Sequence, residues 1–239
     1  VPTEASTDAD EPVIAVKTVT LQTADAVMAL EADDNKLTVT SLKTAGGTEL
    51  LPAPSDYALP ESIRNGTKDV DVFWKLTAVS TAEGTENGTA YTNGIFTYQS
   101  TEFPVTLTVT VLARPSLAGP FEFRSVMENT DAADLRVLPG TFASLTVGTG
   151  GELVSIKKES GMAEGYKHSD GQSFAGTGIY RTAANEKADV NAWVNTLQNF
   201  NSSGFLPMVY LDRGDCGVYC ALEWSSGRVL AKGSDAGIT

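Results

Sequence analysis

The sequence predicts an all-β protein, a large antiparallel β-sandwich with one short helix. The first observation is a period of two: in residues 105–111, apolar side chains alternate with threonines, as in a strand that buries one face. The second is that such segments recur at short intervals, separated by residues that favour turns. The third is that no repeat of roughly 20–50 residues is visible, which disfavours solenoids and propellers. Short strands joined by Gly and Asn turns are typical of sandwiches.

The expected strands follow one another along almost the whole chain. They are predicted at residues 13–22, 26–30, 37–42, 70–76, 95–98, 105–111, 121–127, 135–138, 141–147, 153–157, 205–211, 217–224 and 228–231. Asn-Gly pairs that begin at Asn65, Asn87 and Asn93 predict hairpin turns, because both residue types accept a positive φ. The Asp-Asp-Asn run at residues 33–35 predicts a further turn.

Two segments differ from this pattern. Residues 1–12 are acidic and small without an apolar period, so we expect a flexible linker there and one folded domain over residues 13–239. In residues 189–200, four apolar side chains recur at helical spacing behind Asp189, which is placed to cap a first turn. These side chains are Val190, Trp193, Val194 and Leu197, and we predict the short helix here.

Composition limits the classes of partner. The 239 residues carry a formal net charge of −13, which argues against nucleic acid and anionic membrane surfaces, since both bind Lys and Arg. With 41% apolar residues the chain can build a core, but no run of about 18 apolar residues predicts a membrane span. The opening at Val1, followed by acidic small residues, fits the mature end of a secreted protein or an expression boundary. We therefore expect an extracellular or cell-surface location.

The sequence shows no motif for cofactor or metal chemistry. His168 is the single histidine, in a polar Gly-flanked loop without a Gly-x-Ser-x-Gly elbow, and no glycine-rich nucleotide motif follows a strand. We expect no cofactor and no metal. Cys216 and Cys220 would be beyond disulfide reach on one straight strand. Gly214 and Gly217 can curl this segment, so a disulfide and two free thiols both stay open.

The candidate binding residues follow the apolar strand predicted at 205–211. They are two carboxylates around a Gly turn and then an aromatic, a carboxylate and an indole on the next strand: Asp212, Asp215, Tyr219, Glu223 and Trp224. Alternation puts Tyr219 and Glu223 on one face and Trp224 on the other. The aspartates can bond backbone N–H groups of the turn or orient a sugar hydroxyl. Trp224 can pack in the core, or face a ligand or a neighbouring domain.

Three segments carry a resemblance to a known family. Residues 121–130 form a strand that ends in an Asn-containing turn, and residues 205–211 an apolar strand before a Gly loop. Residues 217–228 are similar to a strand-turn motif with Trp224 in its aromatic place and an extra serine before the glycine. Together they resemble the N-terminal β-supersandwich domain of glycoside hydrolase family 36, the α-galactosidase type. The family's Arg-Gly-x-x-Ser-His segment is not recognisable, which suggests a divergent branch.

The resemblance implies a supporting role in an exo-α-glycosidase. In this family the catalytic aspartates of a retaining mechanism belong to a (β/α)₈ barrel that follows the sandwich, so no catalytic residue is expected in this chain. The implied partners are the C-terminal catalytic barrel of the same polypeptide and a carbohydrate that ends in α-galactose, α-N-acetylgalactosamine or α-galactosamine. The five candidate residues are expected to face that barrel or substrate. A free-standing carbohydrate-binding module and a pair of Ig-like adhesion domains divided near Arg114 stay open as alternatives.

Overall fold

A computed structural model gives the structure of residues 17–137, 144–158, 177–195, 205–222 and 226–239. The prediction of an all-β sandwich is confirmed: these residues form antiparallel sheets and contain no helix. The chain divides into two compact units. The first comprises the described residues of Val1–Ala45 and Asp56–Ala143, and the second those of Gly46–Ser55 and Ser144–Thr239. Arg114, the alternative boundary between two domains, lies inside the first unit.

The first unit is built from the strands between residues 18 and 137. They are β1 (Thr18–Gln22), β2 (Ala26–Asp33), β3 (Lys36–Thr44), β4 (Ser55–Tyr57), β5 (Ser62–Asn65), β6 (Lys68–Asp71), β7 (Trp74–Glu86), β8 (Thr89–Ser100), β9 (Val105–Ala113), β10 (Glu122–Asn129) and β11 (Leu135–Val137). The sheet orders are β1-β2-β3-β4, β10-β9-β8-β7 and β11-β5-β6. Strand β1 also contacts β7, β8 and β9, so the first two sheets pack against each other.

Trp74 is the largest fully buried side chain of the first unit, with 1% of its surface exposed. Its indole Nε1 donates a hydrogen bond to the carbonyl of Pro60 at 2.7 Å. The Tyr98 hydroxyl, also buried, donates to the carbonyl of Lys36 at 2.9 Å. Both polar groups are thus satisfied inside the core, as buried Trp and Tyr require. Phe73, next to Trp74, points away from the core and is 49% exposed.

The turns predicted at Asn87 and at residues 33–35 are confirmed. Asn87 and Gly88 form the two-residue connection between β7 and β8, with φ values of 50° and 81°. Two positive φ values are the requirement of the type I′ hairpin turn that Asn-Gly favours. Asn35, between β2 and β3, has a φ of 58°. Gly66, which follows Asn65 between β5 and β6, has a φ of 59°.

The hairpin turn predicted at Asn93 is wrong. Asn93 and Gly94 lie inside strand β8, where Gly94 pairs with Thr81 on one side and Val111 on the other. A Cβ on Gly94 would come within 2.9 Å of the Val19 side chain. Glycine is therefore needed here for the close approach of β1 rather than for a turn.

The single strand predicted at 70–76 is two strands, because β6 ends at Asp71 and β7 begins at Trp74. Side chains from other turns bind the backbone at this break. The Phe73 N–H donates to the Glu102 carboxylate at 2.8 Å, and the Trp74 N–H donates to the Asn35 side chain. These contacts replace the ladder bonds of a continuous strand, and they depend on residues that are distant in sequence.

The second unit contains the remaining strands of the described chain. They are β12 (Glu152–Lys158), β13 (Thr177–Ala183), β14 (Asp189–Asn195), β15 (Phe205–Asp212), β16 (Gly217–Ala221), β17 (Ser226–Ser234) and β18 (Gly237–Ile238). The sheet orders are β13-β12-β15-β16 and β14-β17-β18, and β14 and β17 also contact β15. Of the strand predicted at 141–147, residues 141–143 lie outside the described residues, and Val147 makes an isolated bridge to Ile238.

The short helix predicted at 189–200 is wrong over residues 189–195, and residues 196–200 lie outside the described chain. Strand β14 pairs along its whole length with β17, from Asp189 opposite Lys232 to Asn195 opposite Ser226. In the sequence, Val190, Ala192 and Val194 of this short window are also spaced by two, which is the period of a strand. Valine favours strands, and pairing with β17 decides between the two periods.

Candidate functional site

The sheet of β12, β13, β15 and β16 has one buried and one partly exposed face. Leu153, Val209 and Leu211 point to the buried face, and each is at most 5% exposed. Side chains alternate along a strand, so their sequence neighbours Val154 and Tyr210 point to the other face. The register aligns these two residues across β12 and β15.

A shallow cavity of about 420 Å³ opens on this sheet. Its wall is aliphatic and aromatic apart from one serine and consists of Val154, Ser155, Ile179, Met208, Tyr210 and Tyr219. We call these six residues the groove. Ile179 is 69% exposed and Tyr219 is 47% exposed. Large apolar and aromatic side chains gathered at the surface commonly mark a binding surface.

Two of the groove residues are tyrosines on neighbouring strands. Tyr219 of β16 lies directly opposite Tyr210 of β15. A methyl group on Gly217 would overlap the phenol of Tyr210 and the carbonyl of Leu211, so only glycine fits beneath this ring. The register aligns Val218 with Leu211 on the opposite face, as the alternation of the sequence predicts.

Arg181 joins two carboxylates at one end of the sheet. Its Nη1 donates to Glu152 Oε2 at 2.9 Å and to Asp212 Oδ2 at 3.1 Å. The pKa of Asp212 is lowered, first by a hydrogen bond from the Gly214 backbone N–H and then by Arg181. The Arg181 and Glu152 side chains are about half exposed and that of Asp212 is 29% exposed, so their pairing contributes little to folding stability. It does keep the Asp212 carboxylate ionised and fixed in direction.

Asp212 also caps the turn between β15 and β16. Its Oδ1 accepts a hydrogen bond from the Gly214 N–H at 3.0 Å, and Gly214 has a φ of 88°. The Arg213 N–H donates to the carbonyl of Cys216 at 3.0 Å and closes the turn. Asp212 therefore has the turn-capping role that the sequence allowed for it. Asp215 is exposed in this turn.

Cys216 and Cys220 are free thiols, so the structure favours the second of the two alternatives. Strand β16 is extended between them, which keeps the two sulfur atoms apart. The pKa of the Cys216 thiol is raised by partial burial and by the neighbouring Asp215. A raised pKa lowers the thiolate fraction, so Cys216 is not an activated nucleophile.

The structure describes three of the five predicted residues. Tyr219 and Asp212 belong to the same sheet face, Asp215 lies in the adjoining turn, and Glu223 and Trp224 lie outside the described residues. Sequence reasoning missed Arg181 and Ile179. No strand was predicted for their segment, although Ile179, Arg181 and Ala183 alternate there.

Within the ranges of the chain that the structure describes, no group of three His, Cys, Asp or Glu side chains comes together as a possible metal site. His168 lies outside them. Nor do these ranges include a helix with the length and hydropathy of a membrane span.

Comparison with known proteins shows a similarity in structure. No family profile and no curated protein matches the sequence. Two α-galactosidases of glycoside hydrolase family 36 from Geobacillus stearothermophilus have a similar fold over 93% of this chain. AgaA, a double variant in complex with raffinose, gives a TM-score of 0.60 at 11% sequence identity. AgaB gives a TM-score of 0.59 at 12% identity.

These neighbours are much longer than the present chain. It covers 36% of AgaA and 35% of AgaB, about a third of each. At such low identity the likeness shows a shared fold. That fold is consistent with the resemblance of the sequence to an N-terminal domain of family 36.

Proposed function

We propose that this chain is the non-catalytic N-terminal β-supersandwich domain of a secreted, retaining exo-α-glycosidase from a divergent branch of glycoside hydrolase family 36. The substrates are glycans that end in α-galactose, α-N-acetylgalactosamine or α-galactosamine. The observation that carries the proposal is the match of 93% of this chain to about a third of an α-galactosidase at a TM-score of 0.60. The three resembling sequence segments support it separately.

The carboxylates beside the groove support a non-catalytic role. A retaining glycosidase needs a carboxylic acid of raised pKa as proton donor and a second carboxylate as nucleophile, roughly 5 Å away. Glu152 and Asp212 are instead bound by one guanidinium, that of Arg181, and the pKa of Asp212 is lowered. An ionised carboxylate that is paired in this way is a poor proton donor. The pair therefore suits binding or packing rather than acid catalysis.

We assign the groove to contact with the catalytic domain of the same polypeptide. Its exposed Ile179 and Tyr219 are side chains that a docked domain would remove from water, at a gain of about 1.5–3 kcal/mol for each fully buried large apolar side chain. The charged trio of Arg181, Glu152 and Asp212 would supply the polar rim that orients the contact. In this proposal Asp215 of the adjoining turn faces the same domain or its substrate. The same role is proposed for Glu223 and Trp224, which lie outside the described residues.

A carbohydrate-binding module is the second candidate, and the tyrosine pair favours it. Tyr210 and Tyr219 are paired across β15 and β16, and both side chains line the groove. Aromatic rings on a rigid sheet bury large apolar area at low entropic cost, which suits the flat apolar face of a sugar ring. In this role the groove binds sugar without any neighbouring domain.

The two candidate functions differ in whether a neighbouring domain or a sugar covers Tyr219. Amide hydrogen exchange measures whether a neighbouring domain protects this region. Amide exchange in residues 205–221 is compared between the isolated chain and the whole gene product that carries this sequence. Contact with a catalytic domain predicts slower exchange in the whole product. It also predicts that the Tyr219 ring resonances of the isolated chain do not shift with methyl α-galactoside or N-acetylgalactosamine. Equal exchange in both proteins, with a saturable sugar shift at Tyr219, would overturn the contact role in favour of the module.

A further inference from the structure

Asn93 is a residue that the fold leaves unexplained. It lies inside strand β8, opposite Ala82 and Leu112. Asparagine is disfavoured in the interior of strands. Its side-chain Oδ1 is buried and accepts no hydrogen bond from the described residues. A buried oxygen without a donor costs about 1–3 kcal/mol. A hydrogen-bond donor from outside the chain would recover that free energy.

Asn93 lines a cavity of about 330 Å³ in the first unit. The wall consists of Thr85, Glu86, Tyr91, Asn93, Thr110, Leu112 and Arg124. This volume is at the lower end of the range for small-molecule sites, roughly 300–1,000 Å³. In contrast to the groove, most of its lining side chains carry a hydroxyl, an amide or a charge. The cavity thus offers both donors and acceptors of hydrogen bonds.

The charges around this cavity cancel. Arg114 donates to Glu86 at 2.8 Å and also to Glu122, and Arg124 donates to Glu122 at 2.6 Å. Two guanidinium groups are therefore paired with two carboxylates. A phosphate or carboxylate ligand would have to compete with Glu122 for these arginines, whereas a neutral ligand leaves the ion pairs intact.

Tyr91 supplies an aromatic ring that is held in place. Gly84 of β7 lies opposite Tyr91 of β8, and a methyl group on Gly84 would overlap the end of the phenol ring. The ring therefore lies across the glycine, in the wall of the cavity. Its position is fixed by the sheet and does not depend on a loop.

We propose that the cavity at Asn93 binds one neutral sugar residue of a glycan. A sugar hydroxyl donates to Asn93 Oδ1, Arg124 and Thr110 contact other hydroxyls, and the ring of Tyr91 packs against the sugar. Neutral sugars combine hydroxyl donors and acceptors with an apolar face, which matches this wall. The site is separate from the groove, and its binding does not depend on the proposed function.

The test uses nuclear magnetic resonance of the isolated chain. The probes are methyl α-galactoside, N-acetylgalactosamine and methyl α-glucoside, with glycerol as a polyol that lacks a sugar ring. We expect at least one of the sugars to cause a saturable shift of the Asn93 side-chain amide, while glycerol causes none. Asn93→Leu and Tyr91→Ala should each weaken binding about tenfold or more, because each removes a direct contact. Binding by Asn93→Leu is followed through the backbone amide of residue 93, since leucine has no side-chain amide. Asn93→Leu should also raise Tm, since it removes the unpartnered oxygen.

The matched control is Phe73→Ala, a truncation of a half-exposed aromatic side chain of the same unit that lines neither cavity, which should bind sugar as the unchanged chain does. Tyr219→Ala is made in parallel to detect sugar that binds at the groove. If Asn93→Leu does not fold, Gly84→Ala tests the same site by displacing the Tyr91 ring. The proposal is overturned if no sugar gives a saturable shift or if glycerol shifts the amide equally. It is also overturned if Tyr219→Ala loses binding and Tyr91→Ala does not. None of these outcomes bears on turnover, so the proposed function is judged separately.

Discussion

Tyr219 lies directly opposite Tyr210 on neighbouring antiparallel strands, on the face of the sheet away from Leu211. Strand register, rather than a loop, thus places the two tyrosines opposite each other, and both side chains line the groove. Because a sheet holds its side chains more rigidly than a loop does, this pair is a preformed contact surface. We expect removal of the Tyr219 ring to have different effects on stability in the isolated chain and in a larger protein.

Replacement of Tyr219 by alanine should leave the isolated chain nearly as stable as before. The ring is 47% exposed, so we expect a change in the free energy of unfolding below about 1 kcal/mol. In the whole gene product the same change should lower Tm or kcat/KM. Val126→Ala, at another exposed apolar residue, serves as the control and should do neither. A large loss of stability in the isolated chain would show that Tyr219 belongs to its core.

Trp74→Ala should destabilise the isolated chain by about 3–5 kcal/mol, because it removes a fully buried indole. It also leaves the carbonyl of Pro60 without the hydrogen bond that the indole donates. Urea denaturation measures this change. The control is Phe73→Ala, an aromatic truncation at the next position, where the ring is half-exposed; its cost should be under about 1.5 kcal/mol. Equal costs at the two positions would contradict the assignment of Trp74 to the core.

Gly217→Ala should cost about 1–3 kcal/mol, since the new methyl group would overlap both Tyr210 and the backbone carbonyl of Leu211. Thermal unfolding of the isolated chain checks the prediction. Ala221→Gly, at the other end of the same strand, should cost only about 0.5–1 kcal/mol through backbone entropy. If Gly217→Ala is as stable as the unchanged chain, the close packing of Tyr210 on Gly217 is refuted.

Asp212 should make the folding stability of the chain depend on pH in the acidic range. Its pKa in the folded chain is lowered from the ordinary value of 3.8, by the Gly214 N–H and then by Arg181. The stabilisation is therefore complete above pH 3.8 and is lost as the pH falls through the folded-state value. Asp212→Asn should reduce the loss of Tm over that acidic interval. A Tm profile that Asp212→Asn leaves unchanged would contradict this assignment.

The sequence predicts the strands well where local pattern and tertiary contacts agree. Residues 105–111 alternate cleanly and lie in β9, and Asn87-Gly88 has both the residues and the position of a two-residue turn. Asn93-Gly94 has the same residues, but its glycine is required by the approach of Val19 from another sheet. No local pattern distinguishes these two pairs. Their difference depends on packing between strands that are distant in sequence.

The same reason explains the wrong helix and the incomplete site. Residues 189–195 fit two periods, and the pairing of Asp189 with Lys232 and of its neighbours with β17 selects the strand. Tyr219 and Asp212 were found because they lie in a strongly patterned segment. Arg181 and Ile179 reach the same sheet face only through pairing with β12, which a single sequence does not reveal.

The most direct test of the account is the hydrolysis of p-nitrophenyl α-galactoside, α-N-acetylgalactosaminide and α-galactosaminide. Both the isolated chain of 239 residues and the whole gene product are assayed. We expect the whole product to hydrolyse at least one of these substrates and the isolated chain to hydrolyse none. Turnover by the isolated chain that disappears in Asp212→Asn or Glu152→Gln, or a whole product inactive on all three, would contradict the account.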